Sequence, residues 1–247
     1  MVEGLNRLFS KVDRYKSQID TLRPFEGNIL KQIKNYYKIG LTYSSNALEG
    51  NSLTETETKV LLEDGLTVGG KPIRDYYEAT GHAKAYDYIY SVAKGEPISE
   101  EQIKTIHRLF YSLIDADMAG TYRQERVIIT GSSYSTPPPE KMPELMGSFA
   151  LWLAHSEDKL HPVEYAAQAH KRFVFIHPFI DGNGRVARLL MNLCLIRRGY
   201  TIGIIPPILR HEYISLLEKA HRDDQPFVRF ITERVEETQK DLLRLLM

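Results

Sequence analysis

One cysteine, Cys194, is all that this chain of 247 residues carries. It can close no intrachain disulfide and anchor no cysteine-rich metal site. Net charge is missing too. Lys and Arg number 32 and Asp and Glu number 32, a balance that argues against nucleic acid as the main partner. No run approaches the ~18 apolar residues of a membrane span, and the segment from Met1 to Phe9 lacks the apolar core of a signal peptide. A G-x-x-x-x-G-K-S/T phosphate loop is absent. These absences predict a cytoplasmic protein that neither spans a membrane nor binds nucleic acid. Any phosphate binding has to be done by other means.

What is present is helix. Leu5, Leu8, Phe9 and Val12 recur at helical spacing, and the stripe ends before Pro24. Ile29, Ile33, Tyr36, Tyr37 and Leu41 predict a second helix from about Asn28 to Leu48, with Gly50 as its C-terminal cap. Capping boxes at Thr54–Glu57 and Ser99–Gln102 each open a further helix. Another helix is expected from Ile73 to about Ala93, and others at about Pro143–His155 and Pro162–Ile176, the last with proline at its start. The C-terminal part predicts a helix near Tyr213–Ala220 and an amphipathic one from Pro226. The texture changes only after Gly120. There β-branched Arg126–Thr130, the turn at Gly131–Ser133 and Pro137–Pro139 predict a small β-hairpin or flap.

The chemistry concentrates in His177-Pro-Phe-Ile-Asp-Gly-Asn-Gly-Arg-Val-Ala-Arg188. Asp-Gly and Asn-Gly are hairpin signals. However, Val186, Leu189, Leu190, Leu193 and Cys194 follow at helical spacing, so the segment is a glycine-rich loop feeding a helix. The first N–H groups of such a helix are unpaired and its dipole is positive there, as in phosphate sites. Arg185 and Arg188 stand three apart on the first turn, two guanidinium forks suited to a polyphosphate. Asp181 would repel a bare phosphate and makes sense with a divalent cation between them. His177 can act as a general base near neutral pH.

This stretch is identified as the signature of the Fic (Fic/Doc) family, H-x-F-x-D/E-G-N-G-R-x-x-R, with no departure. His161 to His170 resembles the helix before that motif, and Gly120–Arg123 with Val127–Gly131 resembles the family's flap. Tyr213 and the segment from Leu217 to Asp224 resemble its nucleotide-base contacts, with His221 where some relatives carry an amide. The resemblance implies a mainly α fold, a Fic-type helical bundle with a small β-hairpin flap and added N-terminal helices. It divides the chain into an N-terminal helical region (1–99), a Fic core (100–235) and a C-terminal helix end (236–247).

It also implies transfer of AMP from ATP to a Ser, Thr or Tyr hydroxyl of a protein. In that chemistry His177 is the base and Asp181 holds Mg2+ or Mn2+. Gly182, Asn183 (side chain included) and Gly184 form the anion hole, Arg185 grips the β-phosphate and Arg188 the γ-phosphate. Thr130, Gly131, Tyr213 and His221 complete the nucleotide site. An intact Gly184 implies ordinary use of ATP. The target would pair in extended form with the flap at Val127–Thr130, and Tyr134, Ser135 and Thr136 are candidate self-modification sites.

Ser45-Asn-Ala-Leu-Glu49-Gly50 resembles the family's inhibitory motif, S/T-x-x-x-E-G/N, in its N-terminal, class II position. It implies that Glu49 pairs with Arg188. At ~4 Å and an effective dielectric near 20 that attraction is roughly 4 kcal/mol before desolvation. Relatives of this type also remove AMP, with the glutamate positioning a water. The residues alone leave two alternatives: a nucleotide-binding module with vestigial catalysis, and transfer of another phosphoryl-containing group. The apolar end from Leu242 to Met247 admits a homodimer.

Overall fold

In a computed structural model the protein is described from residue 2 to residue 247, and the elements follow from the patterns above. Ten α-helices are present among the described residues. They are α1 (Val2–Thr21), α2 (Gly27–Ala47), α3 (Glu55–Asp64), α4 (Ile73–Val92), α5 (Glu100–Tyr111), α6 (Met142–Ser156), α7 (Pro162–Ile176), α8 (Asn183–Arg197), α9 (Arg210–Lys219) and α10 (Gln225–Leu246). Both capping boxes form. The Thr54 hydroxyl accepts from the Glu57 N–H at 3.2 Å, and Glu57 accepts from the Thr54 N–H at 2.7 Å. The Ser99 and Gln102 bonds are 3.2 and 2.9 Å. Gly65 ends α3 with a positive φ of 68°, the glycine stop that leaves no Cβ strain.

α8 sits at the centre, against α7, α4, α5 and α2. Between Asn183 and Leu195 every residue except Gly184 is buried. The expected amphipathic helix is therefore enclosed on all sides, and its polar residues need partners inside the protein. Asn192 finds them in the backbone of Gly203, donating at 3.3 Å and accepting at 2.7 Å. One apolar core runs from Phe9 and Val12 in α1 through α7 and α8 to Leu242 in α10. α10 lies along α1, and the Gln239 amide donates to the Val12 carbonyl at 3.0 Å. Leu242 faces that core, whereas Leu245 and Met247 are exposed.

The helical expectation holds throughout, but the flap differs in detail. No strand is present among the described residues, and the segment from Arg126 to Pro138 is irregular. It turns at Ile129–Ser132, where the Ser132 N–H donates to the Ile129 carbonyl at 3.1 Å, and the Thr136 hydroxyl donates to the Val127 carbonyl at 2.6 Å. β-branched residues favour extended backbone, but a ladder needs a second strand in register. Here Pro137–Pro139 follows the turn, and proline donates no ladder bond.

α4 and α5 approach unusually closely at Gly81. A Cβ there would lie 2.1 Å from the Phe110 carbonyl oxygen. Gly81→Ala would therefore force the two helices apart, and the helix that brings Glu78 to the site with them. We expect a loss of roughly 1–3 kcal/mol, the usual range for overpacking, read as a lower urea midpoint with the helical CD signal retained.

Candidate active site

The motif lies where α7 ends and α8 begins. His177 terminates α7 with φ 53°, a left-handed conformation uncommon for a residue with a Cβ. Something must hold it there, and Arg123 does. Its buried guanidinium donates to the carbonyls of His177 (2.8 Å), Glu125 (2.8 Å) and Pro137 (2.5 Å), and its N–H donates to the Pro178 carbonyl at 2.9 Å. One side chain thus ties the His177 backbone to both ends of the flap. Burial lowers the Arg123 pKa from its usual value, and the carbonyl dipoles stabilise the charge.

The His177 ring is held in one tautomer. Nδ1 lies 3.3 Å from the Val174 carbonyl, which can only accept, so the ring proton sits on Nδ1 and Nε2 keeps its lone pair. Burial lowers its pKa from 6.5 and outweighs the opposing pull of the Val174 carbonyl. The imidazole is therefore neutral at pH 7.

The loop is stapled from inside. The Asn183 side chain accepts from the Phe179 N–H at 2.9 Å and donates to the Phe179 carbonyl at 2.8 Å. Its amide oxygen and one amide N–H thus hold the loop shape, and the second N–H is left for the anion expected here. His107, which the sequence did not single out, braces the loop from α5. Its Nδ1 accepts from the Gly120 N–H at 2.8 Å, so Nε2–H donates to the Asp181 carbonyl at 3.1 Å. Burial lowers its pKa to about 4, and its ring stacks on Phe179 at 3.7 Å. Gly182 caps α8 with φ 78°, and a Cβ there would strike Phe110 at 2.7 Å.

The arginines face two different carboxylates. Arg185 Nη1 lies 2.9 Å from Glu78 on α4, and Nη2 3.3 Å from Asp181. Arg74, one turn before Glu78, pairs with both Glu78 (3.1 Å) and Asp181 (2.5 Å). Asn51, just past the end of α2, donates to Glu78 at 3.0 Å. Arg74 and Glu78 went unread in the sequence. Their i,i+4 spacing marks only a helix pair, and nothing local tells that α4 reaches the motif. Asp181 is 39% exposed. Among the described residues no group of three or more His, Cys, Asp or Glu could hold an ion. One hard carboxylate of this kind suits a cation that arrives with phosphate oxygens, and not an all-protein cage.

Arg188 is buried, 2% exposed at its side chain, and Nη2 lies 2.7 Å from Glu49 Oε1. Its Nε donates to the Ser45 hydroxyl at 2.9 Å and Nη2 to the Ser45 carbonyl at 2.8 Å. Both residues of the N-terminal motif thus meet the second motif arginine. Burial would raise the Glu49 carboxyl pKa, but Arg188 and then Arg185 outweigh it and the value falls below the carboxylate norm. The pair is therefore intact at neutral pH and is lost only as pH falls through that depressed value. Arg210 on α9 donates to the Leu48 carbonyl at 2.7 Å, fastening the end of α2. A Cβ on Gly184 would lie 2.2 Å from Glu49 Oε1, so Glu49 lies against the cradle itself.

A cavity of about 450 Å³ opens beside these groups, lined by Glu49, His177, Gly184, Tyr213, Thr130 and Gly131 among others. His221 also lines it, stacked between Tyr134 and Phe175 with centroids 3.6 Å away on each side. Glu218 latches the flap, accepting from the Ser132 hydroxyl at 2.9 Å and the Ser133 N–H at 2.6 Å. Tyr213 lines the cavity and is buried, with its hydroxyl on Arg188 and His170.

A helical bundle that presents a glycine-rich loop at a buried helix start, with a neutral histidine beside it, defines the class. The chain belongs to the Fic/DOC family. Residues 97–195 match that family. A Fic-domain-containing signaling protein from Bacteroides thetaiotaomicron is 32% identical, with a TM-score of 0.86 over 93% of this chain and 95% of that one. Fic-1 from C. elegans superposes with a TM-score of 0.87 at 29% identity, covering 98% of this chain and 72% of that one. A relative named protein adenylyltransferase Fic, from Nematostella vectensis, is 36% identical over 94% of this chain and 54% of its own length. One of that name from Aedes aegypti is 38% identical over 96% and 48%. The chain spans about half the length of the curated relatives it matches.

Arg123→Ala would leave three inward carbonyls without donors and free the His177 backbone. We expect a loss of about 3 kcal/mol or more, since hydrogen bonds to a charged group contribute roughly 1.5–3 kcal/mol each but not additively. Urea unfolding measures it.

Proposed function

We propose that this chain is a protein adenylyltransferase that moves AMP from ATP to a Ser, Thr or Tyr hydroxyl of a protein and is held in check by Glu49. The observation that carries the proposal is the Glu49–Arg188 pair, 2.7 Å long, set against Gly184 at the start of α8. A carboxylate in that place competes with a phosphate for the same guanidinium. The names of the curated relatives support the transfer of an adenylyl group.

In this reading the hydroxyl oxygen attacks the α-phosphorus and its proton passes to His177 Nε2. The bond from the α-phosphorus to the bridging oxygen breaks and pyrophosphate leaves. The N-terminal N–H groups of α8, with Arg185, oppose the charge that develops, and positioning does the rest. Asp181 would hold Mg2+ or Mn2+, whose chemistry is neutralisation of phosphate charge, and Arg74 must yield its place on that carboxylate. Arg188 takes the terminal phosphate once Glu49 leaves. The same Glu49 can position a water for removal of AMP from a modified target. Ile128, 92% exposed, stands out on the flap, where a target segment can lie along Val127–Thr130. Tyr134, Ser135 and Thr136 border the cavity as self-modification sites. We place the protein in the cytoplasm and leave a homodimer open to measurement. No helix among the described residues is long and apolar enough to cross a membrane.

A module with vestigial catalysis would not need a neutral, oriented His177, and the adenylyl transfer reading is preferred for that reason. Glu49→Gly should raise labelling of protein by ATP radiolabelled at the α-phosphate by about tenfold or more, the factor that about 1.4 kcal/mol of removed competition is worth. Adding His177→Ala should abolish it. Unchanged labelling in Glu49→Gly would overturn the brake. An intact-mass shift other than that of AMP would redirect the reading to another phosphoryl-containing group.

The pH dependence follows from His177. A base whose pKa lies below 6.5 is still mostly unprotonated at that pH and gains its proton only as pH falls through the lowered value. The acid decline in the transfer rate of Glu49→Gly at saturating ATP should therefore be centred below pH 6.5. A decline centred above pH 6.5 would contradict it.

A further inference from the structure

Arg188 has five N–H donors and no acceptor. Two go to Ser45, one to Glu49, and Nη1 donates to the Tyr213 hydroxyl oxygen at 3.3 Å. Three of these four bonds come from one place, the end of α2 and the turn after it. Any movement that withdraws Glu49 acts on the stretch that holds Ser45. Tyr213 belongs to α9 and is the partner anchored elsewhere. It also meets the guanidinium at Nη1, which borders the cradle: a Cβ on Gly184 would lie 3.2 Å from that atom.

The Tyr213 hydroxyl has a second partner, His170 Nε2, at 2.9 Å. His170 is fully buried on α7 and takes no part in the proposed chemistry. One direction gives every hydroxyl and guanidinium proton in this set a partner. The tyrosine oxygen accepts a hydrogen bond from arginine, which can only donate, and its own O–H is satisfied by donating to His170 Nε2. That atom must accept, which puts the imidazole proton on Nδ1, an atom with no hydrogen-bond partner in the protein. Burial and then the Arg188 charge lower the His170 pKa to about 3, so the neutral form this direction requires is the one present.

We propose that Tyr213 and His170 form a one-way hydrogen-bond relay that holds the Arg188 guanidinium in a single orientation, ready for a terminal phosphate after Glu49 has left. This assigns both as positioning residues, and it rests on the reading of Arg188 as the group that meets the terminal phosphate. A neutral relay suits the task. A second carboxylate in place of Tyr213 would neutralise Arg188 permanently and repel the phosphate. No tether at all would leave a buried cation free to turn once Ser45 moves.

The experiment uses the full chain with Glu49→Gly, and measures direct binding of ATP and ADP by calorimetry together with KM and kcat for transfer. Tyr213→Phe keeps the ring and removes the hydroxyl. It should weaken ATP binding by about tenfold, the scale of one hydrogen bond to a charged group, and change ADP binding less than twofold. KM should rise more than kcat falls. His170→Leu should reproduce the effect. His170→Gln, which offers an acceptor oxygen near the Nε2 position, should keep ATP binding within about twofold.

A general packing defect would weaken ATP and ADP alike, and that result would overturn the relay, as would unchanged ATP binding in Tyr213→Phe. If Tyr213→Phe does not fold, the contrast between His170→Gln and His170→Leu decides, and equal affinities in those two would overturn it. Arg188→Ala separates the two levels. If it leaves the preference for ATP over ADP intact, the assignment of Arg188 to the terminal phosphate fails. If it removes the preference and Tyr213→Phe does not, the relay alone fails.

Discussion

A full positive charge buried at the start of an enclosed helix is the constraint around which this molecule is arranged. Arg188 is almost wholly out of water. A guanidinium in that position destabilises the fold unless opposite charge and hydrogen-bond acceptors surround it. The chain meets the demand with Glu49 and two Ser45 acceptors from α2, and with a neutral hydroxyl from α9. If Glu49 is removed, the acceptors remain but the charge does not balance. What the site then lacks is an anion. In the proposed reading, inhibition and substrate affinity are two answers to one electrostatic deficit.

The neighbouring groups follow the same logic with smaller stakes. Arg185 and Arg74 share two carboxylates, Glu78 and Asp181, in a charge-balanced set of four. Arg74 is 52% exposed, so its pairs are screened and exchange easily. In the proposed reading, a cation that brings its own phosphate oxygens replaces it on Asp181. The buried arginine is fastened and the exposed one is exchangeable, and depth in the fold sets that difference. Around them, Arg123, His107 and Asn183 hold backbone. They fix His177, Asp181 and the loop by bonds to carbonyl and N–H groups.

Much of this was legible because it is local. Helix starts are written in four-residue capping boxes, and the run after Gly184 declared a helix by its period. The flap was legible as a turn region but not in its conformation. A ladder is a contact between two segments, and β-branched composition speaks for only one of them. Asn183 was assigned to the anion because its neighbours are. Its amide also closes a ring with Phe179, a geometry that depends on how α7 ends.

By itself the sequence determined the helical class, the order of loop and helix at the motif, and the presence of an acidic residue near the end of α2 that suits a buried arginine. The first two rest on periodicity or on residue types a few positions apart, and the third on the resemblance of Ser45–Gly50 to the family's inhibitory motif. Only the tertiary structure brings the charges together, the Glu49–Arg188 pair as the family resemblance implied and the Arg74–Asp181 pair with no mark in the sequence. Glu49 and Arg188 stand 139 positions apart, and Arg74 and Asp181 107. The meeting of Arg188, Tyr213 and His170 joins three separate helices. Such contacts arise where helices pack side by side, and packing is set by whole apolar faces, which carry no mark of the polar partners they bring together.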